Sequence, residues 1–189
     1  MNIKIGLNQK SIKETIKLLN EQKKKLENAN NEFLLLSCEW IKERANFYLS
    51  TAPIGEETKE NIKNGWQTPE IIGNRAKMLN TSDKAVFVEF GVGVTGSKYP
   101  HDYYAFAGYE YNVPSRSKDQ SGGWYFDVEP SRTNIPLEDL EVIGNGVDGK
   151  TVYYTHGTVG ESFTFQALMD YENYGKKQIW EQIKQKYWG

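Results

Sequence analysis

The segment Phe87-Val88-Glu89-Phe90-Gly91-Val92-Gly93 constrains this chain more than any other stretch. An apolar run that breaks into alternating glycines reads as a strand terminus. Glycine there reaches positive φ, or lets a second backbone come close with no Cβ in the way. Ala85 to Phe90, rich in Val and Phe, is accordingly read as the strongest strand. Arg75 to Leu79 is read as its neighbour, joined through a Thr81-Ser82-Asp83 turn, so the two are expected to form an antiparallel hairpin. Glu89 would then face away from Val88 and Phe90 and is expected to make a polar contact to another element or another subunit.

The flanking sequence is mostly helical in pattern. Ile3, Ile5 and Leu7 alternate with polar residues as a short half-buried strand does. Asn8 or Ser11 offers an N-cap for a first helix carrying Ile12, Ile16, Leu19 and Leu26. Asn28 to Asn31 loosens the pattern, and a second helix is expected from about Glu32 to Ser50. Its stripe of Leu34, Cys38, Ile41, Ala45 and Tyr48 is broadened by Phe33, Trp40 and Phe47, which are read as core residues. Ala52-Pro53 stops it, because the residue before proline avoids the α region. Residues 53–73 read as a polar loop anchored by Ile62 and Trp66.

Beyond the glycines, residues 94–123 read as a long loop dense in tyrosine, and loops of this length in compact domains usually have a function. Trp124 to Phe126 and Thr151 to Thr155 read as third and fourth strands, separated by a polar stretch with Asn145-Gly146 and Asp148-Gly149 turns. A closing helix from about Ser162 to Tyr187, with Ser162 as N-cap and Gly175 as a weak point, completes an α+β fold. The expectation is a single domain over residues 1–189, with a small antiparallel sheet of about four strands packed against N-terminal helices and a C-terminal helix.

Composition removes several function classes. Among 189 residues, 23 basic and 25 acidic side chains leave a formal charge of −2, so no whole-protein field draws in nucleic acid or anionic lipid. Nineteen of the basic residues are Lys and four are Arg, a bias that suits a solvated surface better than specific phosphate clamps. One cysteine, Cys38, excludes an internal disulfide framework and makes a cytoplasmic site of folding the expectation. Met1 to Lys13 carries Lys4 and Lys10 without an apolar run, so no signal peptide is expected. Phe33 to Leu36 is far too short to span a bilayer.

Catalytic constellations are scarce. The two histidines, His101 and His156, stand in none of the usual metal spacings, although Glu89, His101 and His156 could converge as a two-His, one-carboxylate site. Gly91-Val92-Gly93-Val94-Thr95-Gly96 matches a dinucleotide fingerprint in letters, but no helical pattern is read after it. No nucleophile elbow is present, and Cys38 lies mid-helix. A small metal-dependent hydrolase and a carbohydrate-binding module built on the tyrosines and Trp124 stay as alternatives.

Three blocks together resemble a known family. Val88-Glu89-Phe90-Gly91-Val92-Gly93, the Trp124-Tyr125-Phe126 strand, and Thr155-His156-Gly157 leading into Ser162-Phe163-Thr164-Phe165-Gln166-Ala167-Leu168 are similar to motifs of the tail-completion, or head–tail joining, proteins of long-tailed bacteriophages. Ala52-Pro53-Ile54-Gly55 stands where that family has an A-P-x-x-T-G-like turn. The family's proline before the last helix is replaced by Gly160-Glu161-Ser162, and the loop at 97–122 is longer than expected. The resemblance implies a helix packed on an antiparallel sheet and a non-enzymatic role in virion assembly. It implies no cofactor, a ring of copies (hexameric by expectation) in the virion neck, and assembly in the host cytoplasm. The implied partners are connector or head-closure proteins and tail-tube or tail-terminator proteins, not membranes or specific nucleic-acid sequences.

A closing ring needs a heterologous interface with buried aromatics and a polar rim. The residues expected to shape or line it are Val88, Glu89, Phe90, Gly91, Gly93, Trp124, Gly157, Phe163 and Phe165, with Tyr103, Tyr104 and Tyr109 of the loop. The sequence leaves open whether those tyrosines meet a neighbour or pack over the chain's own sheet.

Overall fold

The computed structural model describes residues 9–103, 105, 107, 109, 124–126, 141–145, 151–155 and 157–189. The expected strand at residues 2–7 lies outside them. The framework is a single 43-residue helix, α1, Gln9–Thr51, about 64 Å long at 1.5 Å per residue. The break expected at Asn28–Asn31 does not occur. Asparagine costs a helix only about 0.7 kcal/mol per residue, and Ala29 in the middle of that stretch is buried against Tyr171, Ile179 and Ile183, which carries the helix through. No helix of the described residues is long and apolar enough to cross a membrane.

After the Ala52-Pro53 stop, the expected polar loop folds into helix α2, Glu56–Asn64, and strand β1, Glu70–Ile72. Acidic Glu56 and Glu57 at its start and Lys63 at its end complement the helix dipole of α2. Its inner residue, Ile62, is fully buried, and Trp66 packs on the same core while its indole N–H donates to Asn46 at 3.0 Å.

Strand β2, Arg75–Lys77, pairs with β1 through a two-residue Gly73-Asn74 turn, with Gly73 at φ 62°. The expected hairpin between Arg75–Leu79 and Ala85–Phe90 is therefore corrected. Ala85–Phe90 is a short helix, α3, in which Ala85, Val88 and Glu89 are buried at helical spacing. Six residues, five of them apolar, are too short to declare a period, and tertiary packing decided it.

Strand β3, Gly91–Val92, follows directly, and helix α4, Gly93–Lys98, begins where a loop was expected. Strand β4, Trp124–Phe126, and strand β6, Thr151–Thr155, occur where expected, joined by β5, Glu141–Asn145, within a stretch read as polar turns. Strand β7, Gly157–Val159, leads to the closing helix.

The strands of the described residues form three small antiparallel sheets instead of one sheet of about four. They are β1–β2, β3–β7 and β4–β6–β5. The fold is thus α+β in outline, with helices dominating.

The closing helix is continuous from α5, Phe163–Asp170, through a π segment, Tyr171–Gly175, to α6, Lys176–Trp188. It lies along α1 and makes two cores with it. The first gathers Ala45, Leu49, Ile54, Ile62, Val88, Phe163 and Ala167. The second gathers Ala29, Tyr171, Ile179 and Ile183, with Phe33 and Trp40 packed on it. Gly175, expected as a weak point, is where the helix touches α1, since a Cβ there would stand 2.8 Å from the Trp40 ring. Phe47 departs from the core expectation. It is half exposed, with the Arg44 guanidinium 4.9 Å over its ring.

Candidate functional site

The end of α3 and the start of α5 are knitted into one junction. Glu161 N–H donates to the Val88 carbonyl at 2.7 Å, and Ser162 N–H to the Glu89 carbonyl at 3.2 Å. Thr164 N–H then donates to Glu89 Oε2 at 2.8 Å, and Phe165 N–H to Oε1 at 2.9 Å. The first N–H groups of a helix have no partner within it and carry its positive dipole end. Glu89, 75 residues upstream of Thr164, supplies the acceptors for two of them.

Ser162, the expected N-cap, does not cap. Its φ is 52°, it makes no side-chain cap bond, and only its carbonyl enters the helix by accepting Gln166 N–H at 2.8 Å. Cap rules see the local residue, whereas here the acceptor comes from another helix.

Two glycines allow the chains to approach this closely. Gly91 ends α3 at φ 82°, and a Cβ on it would sit 2.4 Å from the Thr158 carbonyl oxygen. A Cβ on Gly160 would sit 2.2 Å from the Glu89 carbonyl oxygen. The same approach closes the β3–β7 ladder, where Gly91 faces Val159 and Val92 faces Thr158. Gly157, buried at φ 98°, donates its N–H to Thr155 Oγ1 at 3.0 Å and turns the chain from β6 into β7.

His101 lies over the junction. Its Nδ1 accepts Tyr103 N–H at 3.0 Å, and its Nε2 stands 3.7 Å from Glu89 Oε1. Among the described residues, the rings of Phe90 at 4.9 Å and Phe165 at 5.1 Å, both edge-on, and Tyr103 at 6.4 Å stand against the imidazole. Tyr109 stacks on Phe90 at 4.9 Å and donates its hydroxyl to the Gly91 carbonyl at 2.6 Å. The post-α4 segment is thus pinned onto α3 by aromatic contacts. Burial pushes the Glu89 carboxyl above the usual range, against the downward pull of Thr164 N–H, Phe165 N–H and His101.

Beside the junction runs a groove of about 600 Å³ between α3, the start of α5 and Tyr103. Among the described residues, Val86, Phe90, Phe165, Leu168 and Met169 line much of it, together with Glu89, His101 and Glu172. Val86, Leu168, Met169 and Tyr103 are each about half exposed.

Of the residues expected at the site, Val88, Glu89, Phe90, Gly91, Phe163, Phe165, Tyr103 and Tyr109 meet at or beside the junction, and Gly157 starts the strand that closes it. Gly93 opens α4. Trp124 is placed elsewhere, in the three-stranded sheet opposite Thr155. Tyr104 and His156 lie outside the described residues. The helix after Gly91-Val92 was not expected, but the strand before it pairs antiparallel in a two-stranded sheet, so no βαβ unit surrounds the glycines.

Glu89 and His101 do approach one another. Both carboxylate oxygens, however, already accept backbone N–H groups, and among the described residues no three His, Cys, Asp or Glu side chains gather as a metal set.

One cluster had no signal in the sequence beyond the rarity of arginine. Arg44 Nε donates to Asp170 Oδ2 at 2.6 Å, Tyr48 Oη donates to the same oxygen, and Arg44 Nη2 donates to Tyr174 Oη at 3.0 Å. Burial works to raise the Asp170 carboxyl, but the bonds from Tyr174, Tyr48 and Arg44 outweigh it and hold the group below its usual range. This lock fixes α5 against α1. No protein-family model, curated protein or solved structure matches the chain.

Proposed function

We propose that this chain is a non-enzymatic structural protein of the head–tail junction of a long-tailed bacteriophage, a tail-completion or head–tail joining subunit that works within a ring. The observation that carries the reading is the junction itself. The block Val88–Gly91 and the block Ser162–Leu168, two stretches on which the family resemblance rests, meet through the N–H groups of Ser162, Thr164 and Phe165, all three of which donate to Glu89. Motifs whose residues serve each other's backbone suit a scaffold that holds surfaces in register. The half-exposed apolar side chains along the neighbouring groove suit a partner contact.

On this reading the partners are further copies in a hexameric ring, connector or head-closure proteins, and tail-tube or tail-terminator proteins of the same virion. The chain would act in the neck after assembly in the host cytoplasm, without a cofactor. Light scattering and negative-stain microscopy of the protein, alone and with those components, should show rings or ring-bound complexes. A persistent monomer that ignores both the tail and the connector components overturns the reading.

The Glu89–His101 approach at 3.7 Å favours one second reading, a metal-dependent hydrolase. Metal analysis of the purified protein separates the two, since stoichiometric zinc or manganese would count for the enzyme.

A further inference from the structure

His101 ties the segment after α4 to the junction through its neutral form. Its side chain is only 5% exposed. Nδ1 accepts Tyr103 N–H at 3.0 Å, which puts the ring proton of the neutral imidazole on Nε2, 3.7 Å from Glu89 Oε1. A histidine ordinarily gains its second ring proton between about pH 8 and pH 5. That proton belongs on Nδ1, and an Nδ1 that carries a proton cannot accept Tyr103 N–H. The charged ring and the Tyr103 contact therefore exclude each other.

The surroundings decide which group takes a proton. Glu89 of α3 faces Nε2, and its charge favours the imidazolium. Both Glu89 oxygens already accept the N–H groups of Thr164 and Phe165, so a proton on Glu89 would displace a helix N–H. From α5 the ring meets Phe165, which brings no charge. Tyr99 and Asp102, on the same segment as His101, line a small adjoining pocket with it, and Glu172 lines the groove but is paired with Lys176 at 3.2 Å. Among the described residues no Lys or Arg lines the groove or that pocket to oppose a positive ring.

Tyr103 forms one wall of the groove. Its ring centroid lies 5.0 Å from that of Phe165. Its other face is half open to solvent, so water can replace Nδ1 as the acceptor when the ring charges.

We infer that the groove has a proton-operated wall: proton uptake by His101 exchanges the Tyr103 N–H bond for a charge pair with Glu89, and Tyr103 moves off Phe165 to open the groove. The use of the opened groove rests on the partner contact proposed above, whereas the exchange itself does not.

Hydrogen–deuterium exchange of the full chain tests it, read by mass spectrometry on peptides covering residues 99–103 and corrected for the intrinsic effect of pH. From about pH 7.5 to about pH 5 the protection of Tyr103 N–H should fall by roughly fivefold or more, as the proton-bound form becomes the major one. Peptides covering Ala45 to Leu49 in the first core should keep their protection. His101→Asn places an amide oxygen where Nδ1 stands and does not titrate, so its protection should stay level with pH. Glu89→Gln removes the charge that favours the imidazolium and should move the loss to lower pH. If His101→Asn also loses protection in the core, the parent decides alone. Its His101 ring titration, followed by proton NMR, and its loss at Tyr103 should then share one midpoint.

Protection in the parent that does not fall with pH overturns the inference, as do separate midpoints. An equal fall in a folded His101→Asn overturns it by placing the proton on another group, and so does a fall that Glu89→Gln moves to higher pH. Each of these leaves the head–tail reading standing, which the absence of rings and ring-bound complexes overturns instead.

Discussion

Removing the Glu89 carboxylate should unseat the start of α5. Glu89→Ala deprives Thr164 N–H and Phe165 N–H of their acceptors, at 2.8 and 2.9 Å. Loss of a helix cap costs about 0.5–2 kcal/mol, and two half-buried donors left without partners cost about 1–3 kcal/mol each unless groove water replaces the carboxylate. Relief of the buried charge returns part of this, so the expected net loss is about 1–3 kcal/mol. For a chain of this size that lowers the melting temperature by roughly 2–12 °C.

Glu89→Gln keeps one acceptor oxygen and should fall between the alanine variant and the parent. Their pH dependence separates the two effects. Well below the ordinary glutamate value of about 4.3, the carboxyl is protonated in both folded and unfolded chains. As pH rises, the unfolded chain loses its proton first, because burial raises the folded-state value. Folding then takes up a proton, and the parent loses stability relative to Glu89→Gln until the folded carboxyl also ionises. Urea unfolding followed by circular dichroism, from about pH 4 to pH 7, reads this difference directly. A parent advantage over Glu89→Gln that grows with pH refutes the dominance of burial. An alanine variant within about 0.5 kcal/mol of the parent refutes the cap itself.

Gly91→Ala should destabilise by about 2–4 kcal/mol, since it adds a Cβ 2.4 Å from the Thr158 oxygen at φ 82°, whereas Gly73→Ala, with φ 62° and open space around it, should cost only about 1 kcal/mol in thermal melts. Asp170→Asn should loosen α5 from α1 by about 1–2 kcal/mol at neutral pH, discounted for the part-exposed Arg44 partner. The folded Asp170 value is lowered, so its contribution is present above the unfolded value and disappears as pH falls through the folded one; acid unfolding curves of parent and variant should converge there. Phe163→Ala empties a position only 1% exposed in the first core and should cost about 3–5 kcal/mol by chemical denaturation.

What the sequence made legible follows from local physics. The helical stripes, the proline stop, the Ile62 and Trp66 anchors and the strands at 124–126 and 151–155 need only period and turn chemistry. The need for glycine at position 91 was also readable, because both positive φ and a close backbone are glycine properties. Where partners are distant, local signals misled. Val86, Phe87 and Val88 look like a strand by propensity, yet burial of Ala85, Val88 and Glu89 one turn apart makes a helix. Ser162 looks like a cap, yet the acceptors come from Glu89. Arg44 and Asp170 are 126 residues apart, and nothing in either neighbourhood announces the other.

The pairing of α1 with the closing helix has a consequence for the stretch between them. Arg44–Asp170, Ser37–Tyr171 and Glu32–Lys186 join residues 126, 134 and 154 apart, so the two ends of the chain clasp each other. Everything from α2 to β7 is one closed loop of roughly 110 residues hung from that clasp. Closure entropy grows only with the logarithm of loop length, so ten further residues in it would add about 0.1 kcal/mol. Closure entropy therefore sets little limit on the length of the connections between the elements of that loop, while the core and junction residues within it, such as Ile62, Val88 and Glu89, must keep their places.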